Sequence, residues 1–184
     1  MVKTPFIQLA LCGSADGEQL PEVNEKMARL GQEIAKRNIV LLSGACHGYP
    51  YQAALSHFKN GGLSIGVSPA KNYEEHINVY RFPTDCFQSI IFTSLNIKAR
   101  NVVFAQSADI VICVGGGAGT MNEFTIAYDE GTPIGIVKGS GGISDDFAPL
   151  AKKFYKKPRH TGIVIEDSDP LSLLEKLIPL IKRV

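Results

Sequence analysis

Ile110-Val111-Ile112-Cys113-Val114-Gly115-Gly116-Gly117-Ala118-Gly119-Thr120-Met121-Asn122-Glu123 runs from an uninterrupted apolar segment, through a loop dense in glycine, into a segment of helical character. An apolar run without a polar face is what a strand needs when helices cover both sides of a parallel sheet. Glycines directly after such a strand let the backbone turn at positive φ and approach a ligand with no Cβ in the way, so successive N–H groups can converge on an anion. The helix that follows adds its own unpaired amides and the positive end of its dipole. The stretch therefore predicts a strand, a phosphate cradle and a charged residue, Glu123, delivered to one point.

Working outward, apolar runs bounded by glycine alternate with amphipathic segments along the whole chain. Strands are expected near 6–12, 39–43, 63–67, 110–114, 134–137 and 163–165, and helices near 21–37, 51–60, 96–106, 120–130, 145–154 and 170–181. The pattern predicts a single domain over residues 1–184, an α/β Rossmann-like three-layer sandwich with a mostly parallel sheet. Residues 68–94 read only as a long excursion with Pro69 and Pro83, and such excursions often serve function. Ligands of open α/β sheets bind beyond the carboxyl ends of the strands. Three glycine loops fall there: Gly13-Ser14 after the first strand, Gly44 to Gly48 after the second, and Gly115 to Thr120 after the 110–114 strand. One crevice lined by all three is expected.

Two familiar glycine motifs do not fit. The dinucleotide fingerprint needs a third glycine where Thr120 stands, and the P-loop needs a lysine that the loop lacks. Thr120 and Glu123 have the spacing of a capping box, in which each side chain satisfies a backbone N–H at the helix start. Arg100, on the same helix as Lys98, has the alternative of a surface ion pair. His47 is the histidine that falls in a glycine loop, while His57, His76 and His160 have no motif around them. Asp16 suits a turn as well as a ribose hydroxyl. Asp109 and Asp129-Glu130 lack metal-ligand spacing to a third group. The run Gly139-Ser140-Gly141-Gly142 reads as a lid or a flexible turn.

The loop resembles the GGxGTxxE signature of the Lonely guy (LOG) family, long misnamed lysine decarboxylases, within the SLOG superfamily that also holds the molybdenum-cofactor carrier proteins. The resemblance extends over most of the chain. Leu11-Cys12-Gly13-Ser14 is similar to the family's CGS start, Leu42 to Gly48 to its second glycine loop, and Ala99-Arg100-Asn101 stands where LOG enzymes carry an Arg-Lys pair. Ser107-Ala108-Asp109 follows at the family's spacing. Val114 stands in place of the usual proline and Asn101 in place of the lysine. The Arg-Asn pair and the segment Gly66-Val67-Ser68-Pro69-Ala70 resemble the carrier branch more closely.

The resemblance implies a nucleotide 5′-monophosphate phosphoribohydrolase acting on AMP or a cytokinin-like adenine ribotide, with Glu123 and Arg100 as catalytic residues. It implies that Gly13, Ser14, Gly44, Asn101, Gly115, Gly116, Gly117, Gly119 and Thr120 bind substrate or phosphate. The alternative it leaves open is a non-catalytic carrier of a nucleotide or of molybdenum cofactor, so the ligand is a nucleoside monophosphate or a phosphorylated pterin. No metal and no resident cofactor is implied, and a homodimer is, with the Arg100 helix near its interface. Lysine decarboxylation would need a Schiff-base lysine for pyridoxal phosphate, and none of the three loops carries a lysine.

Composition narrows the partners. The chain of 184 residues is 45% hydrophobic and 20% charged, with a formal net charge of +1. That charge provides no general field for nucleic acid, and Lys152-Lys153 and Lys156-Lys157 read as a solvated helix face. No stretch approaches the roughly 20 apolar residues of a membrane span, and no signal-peptide core precedes the first strand, so a cytoplasmic location is expected. Cys12, Cys46, Cys86 and Cys113 form no CxxC pair and are expected as thiols rather than disulfides or zinc ligands.

Overall fold

In the computed structural model, residues 6–15, 19–154 and 162–181 are described. Seven strands form one sheet: β1 (Gln8–Gly13), β2 (Val40–Ser43), β3 (Ser64–Ser68), β4 (Ser89–Phe92), β5 (Ile110–Val114), β6 (Ile134–Val137) and β7 (Val164–Asp167). Their order across the sheet is β4-β3-β2-β1-β5-β6-β7, and every pairing is parallel. Between them run α1 (Pro21–Lys36), α2 (Tyr49–Lys59), α3 (Tyr73–Asn78), α4 (Ile97–Gln106), α5 (Ala118–Glu130), α6 (Phe147–Ala151) and, at the end, α7 (Pro170–Leu177).

Alternation along the central strands builds two cores. Leu9 and Leu11 of β1 and Ile110 and Ile112 of β5 join α1, α2 and α7 on one face. Ala10, Cys12, Val111 and Cys113 point the other way, into Phe104 of α4, Phe124 of α5 and Phe147 of α6, because successive side chains of a strand face opposite sides. Phe124 and Phe147 stack with centroids 4.3 Å apart. On α1, Val23, Met27, Leu30 and Ile34 recur at helical spacing and are buried. With helices on both faces, every residue of β5 is buried.

Six strands and five helices stand where the sequence places them, with shifted ends. The excursion over 68–94 instead contains α3 and the edge strand β4, which pairs with β3 from Ile65↔Ser89 to Ser68↔Phe92. Helix α3 is capped at its start: Asn72 accepts from the Glu75 amide at 2.9 Å, and the Glu75 carboxylate accepts at 2.6 Å from the amide of Lys71, just before the cap. The helix expected over 145–154 is a 3₁₀ turn (Ser144–Asp146) followed by the short α6, so Lys152 and Lys153 lie beyond its end. Lys156, Lys157, Asp16 and His160 lie outside the described residues. No helix among the described residues is long and apolar enough to cross a membrane.

The sheet order sets the crevice. From β1 the chain proceeds outward through β2 and β3, then returns to place β5 on the other side of β1, so the loops after β1 and β5 diverge at a topological switch point.

Candidate functional site

Beyond that switch point lies a cavity of about 470 Å³, lined by Gly13 at the end of β1 with Ser14 and Ala15 after it, Cys46 and His47 after β2, Phe82, Ile97, Arg100 and Asn101, and Gly116, Gly117, Gly119, Thr120 and Glu123. The expected convergence of three loops is present, and Ser14 ties them together. Its amide donates to the Val114 carbonyl at 3.2 Å, its carbonyl accepts from the Tyr49 amide at 3.1 Å, and its hydroxyl accepts from the Gly116 amide at 3.2 Å. A Cβ on Gly48 would stand 1.8 Å from the same Ser14 carbonyl oxygen.

The glycine loop after β5 is narrower as an anion cradle than its sequence suggests. Gly115 donates its amide to the Ser140 hydroxyl at 2.8 Å, and that hydroxyl donates onward to the Val137 carbonyl at 2.6 Å. Gly115 does not line the cavity, and with the Gly116 amide engaged by Ser14 the cradle begins at Gly117. The amides of Gly117, Ala118, Gly119 and Thr120 have no protein acceptor among the described residues, as the first turn of a helix requires. Gly116 sits at φ +88°, and a Cβ there would come within 2.1 Å of Thr120 Oγ1. The Gly139–Gly142 run is a brace behind this loop: the Gly139 amide donates to Asp145 Oδ1 at 2.8 Å and the Ile143 amide to the Gly116 carbonyl at 3.0 Å.

The capping box expected from Thr120 and Glu123 does not form. Helix α5 starts at Ala118 with Gly117 as its N-cap and no side-chain cap, so Thr120 is already in the first turn and Glu123 lies a turn further on. Glu123 is thereby carried under the cavity, only 8% exposed. Burial pushes its carboxyl up to about 7, against the opposing attraction of Arg100 and a hydrogen bond from Cys12. Cys12 lies in register with Cys113 on β5, and burial raises its thiol well above the usual range.

Arg100 is 4% exposed, with Nη1 3.8 Å from Glu123 Oε1 and its guanidinium carbon 5.7 Å from the Phe104 ring centroid. Its Nε and Nη1 are buried without a hydrogen-bond partner among the described residues. A buried charged donor left unmatched is costly unless something else completes it. Gly44, expected to touch the ligand, does not line the cavity; a Cβ there would stand 2.6 Å from Arg100 Nη1, so its bare backbone is the floor on which the guanidinium rests. Asn101, 1% exposed, has its amide between Asn122 Oδ1 at 3.0 Å on one side and Glu123 Oε1 at 3.1 Å and the Ile97 carbonyl at 2.9 Å on the other, and the orientation that satisfies the latter two has its nitrogen donating to both. It steadies the carboxylate and adds no charge.

His47 is at the cavity, exposed, with Nε2 3.0 Å from the Arg81 carbonyl. His57 and His76 are buried elsewhere, each held by a serine, Ser64 Oγ at 2.8 Å and Ser68 Oγ at 2.9 Å. Asp109 accepts from the Gln8 amide at 2.8 Å and Glu130 from Gln106 at 2.7 Å, both structural roles. Among the described residues no group of three or more His, Cys, Asp or Glu could hold a metal ion. Phe82 and Ile97 were not expected at the site. Phe82 belongs to the excursion, whose Asn72-x-x-Glu75 cap was the legible sign that it is ordered.

A family model described as the SLOG cluster4 family matches residues 7–173. A protein of Archaeoglobus fulgidus described only as uncharacterized is 30% identical over 133 residues, covering 72% of this chain and 81% of its own. The molybdenum cofactor binding protein of Rippkaea orientalis superposes with a TM-score of 0.74 at 25% identity, covering 96% of this chain and 99% of that one. The Moco carrier protein of Chlamydomonas reinhardtii does so with a TM-score of 0.74 at 21% identity, over 96% and 99% of the two chains.

Proposed function

The chain belongs to the SLOG cluster4 family, and on that premise we propose that it binds a nucleoside 5′-monophosphate and hydrolyses its N-glycosidic bond, releasing the base and ribose 5-phosphate. The observation that carries the reading is the buried Arg100, whose Nε and Nη1 find no hydrogen-bond partner among the described residues, beside a carboxyl that burial pushes up to about 7. A guanidinium keeps its charge and offers paired donors to phosphate or ribose oxygens. The open amides of residues 117–120 supply the second set of donors, at the positive end of α5.

In this reading the phosphate rests on the α5 start and Arg100 fixes the sugar beside Glu123. Water attacks the anomeric carbon as the bond to the base nitrogen breaks, and the bonding pair leaves with the base. Positive charge on the ring is stabilised by the Glu123 carboxylate, which also accepts the water's proton and returns it to the departing base. A carboxyl poised near the working pH suits that exchange. The deciding assay is adenine release from AMP by the wild type and by Glu123→Gln. Equal rates in the two proteins would end this mechanism.

A second reading, a carrier that holds a nucleotide or phosphorylated pterin without turnover, is favoured by two observations. Asn101 stands where LOG enzymes carry a lysine, and the Rippkaea orientalis relative is described as binding molybdenum cofactor. Ligand-induced thermal stabilisation with no base release would select it. We also propose a homodimer through α4, which exposes Ile97, Val102 and Val103 at 44%, 42% and 38%. Light scattering that returns the mass of a single chain would refute it.

A further inference from the structure

The cavity has a second wall of different chemistry. Phe82 follows α3, His47 follows β2, and both line the cavity with Ile97. Strands β2 and β3 lie on the far side of β1 from β5, so the loop after β1 separates this wall from the amides of residues 117–120. The wall is built to hold its shape. The Phe82 ring stacks on Tyr80 at 5.3 Å and meets the buried His76 edge-to-face at 5.6 Å, while its amide donates to the His76 carbonyl at 3.1 Å. His47 is set against Tyr51 at 6.0 Å, and the Tyr51 hydroxyl donates to Asp85 at 3.0 Å, which ties α2 to the turn that carries Phe82.

Hydrogen bonding also fixes what His47 offers. The Arg81 carbonyl can only accept, so His47 Nε2 carries the proton in that 3.0 Å contact, and in the neutral ring Nδ1 is left as an acceptor. A phosphate calls for neither an aromatic face nor an added acceptor, since its oxygens accept and the amides and Arg100 already donate to them. A planar heterocycle with an N–H edge calls for both.

We infer that Phe82 and His47 form the subsite for a planar nitrogen heterocycle tethered to the phosphate, with Phe82 stacking on the ring and His47 Nδ1 accepting from a ring or exocyclic N–H. The inference rests on the phosphate reading of residues 117–120 and Arg100. It places the ligand across the loop after β1, phosphate toward β5 and heterocycle toward β2 and β3.

Calorimetric titration of AMP, a monophosphorylated pterin and ribose 5-phosphate into the wild type and Phe82→Leu tests it. Leucine keeps bulk over His76, and a melting curve confirms that the variant is folded. The wild type is expected to bind one of the heterocyclic phosphates at least about tenfold more tightly than ribose 5-phosphate. Phe82→Leu should weaken that ligand by roughly five- to a hundredfold, the range of losing one stacked base, and leave ribose 5-phosphate within about twofold. Whichever of AMP and the pterin loses more identifies the heterocycle. Equal affinity of the wild type for all three, an undiminished preference in Phe82→Leu, or an equal loss for every ligand would overturn the subsite while leaving the phosphate reading intact. Failure of all three to bind the wild type would overturn the phosphate reading and this inference with it.

Discussion

Arg100 and Glu123 form a buried pair, Nη1 to Oε1 at 3.8 Å, too long for a hydrogen bond and close enough for each charge to feel the other. Nε and Nη1 of Arg100 have no hydrogen-bond partner among the described residues, and burial pushes the carboxyl up to about 7. An ion pair built for stability would have closed this contact. The gap leaves both groups able to address a third.

Glu123→Gln keeps the shape and the contact with Asn101 but removes the proton acceptor. Adenine release from AMP should fall by about 10²- to 10⁴-fold, the usual weight of a positioned acid–base group, with binding of AMP retained. Steady-state rates and titration of the variant check both halves.

The carboxyl also sets a pH dependence. Its folded value of about 7 lies above the ordinary 4.5, so the folded state holds a proton that the unfolded chain has released between those values. The stability this contributes is complete below about pH 4.5 and lost as pH rises toward 7, a fall of at most about 3 kcal/mol. Melting temperatures from pH 5 to 8 should decline more in the wild type than in Glu123→Gln. In the proposed mechanism the ionised carboxylate is the working form, so adenine release from AMP should rise over the same range.

Gly44→Ala separates function from fold. The added methyl meets the end of the Arg100 side chain, at 2.6 Å from Nη1, and the flexible guanidinium can give way. Stability should change by less than about 1 kcal/mol, since alanine also restricts the unfolded chain. Phosphate-ligand affinity should fall about tenfold, the weight of one charge-assisted hydrogen bond. Thermal melts and titration with ribose 5-phosphate read the two effects apart.

Ser140→Ala tests the brace behind the loop. The hydroxyl joins the Gly115 amide to the Val137 carbonyl and is buried, so its loss strands both groups at a cost of about 1–3 kcal/mol. Chemical denaturation should show that loss, and ligand affinity should fall with it because Gly115 leads directly into the open amides.

Much of this architecture was legible because β5 and the other central strands are buried on both faces and end in glycine, which leaves unbroken apolar runs with sharp boundaries. Strand β4 was not, because it lies at the edge and its burial alternates between exposed and intermediate, so Ile90-Ile91-Phe92 merges with the polar excursion around it. The start of α5 was misplaced because Gly117 caps a helix without a side chain, leaving Thr120 as the nearest visible cap. Helix α4 inverts the usual rule: it buries Arg100 and Asn101 and exposes Val102 and Val103. A reading that turns apolar residues inward therefore cannot bury Arg100, and only the family resemblance directed attention to it.

Ser14 meets the strand end at Val114, the helix start at Tyr49 and the glycine turn at Gly116 through three different atoms. The glycine turn transplanted onto another scaffold would arrive without two of its anchors, so the proposed recognition surface cannot be moved as a short peptide module. Recombination among relatives should exchange the three loops as a set, with whichever residue occupies the Ser14 position travelling alongside them.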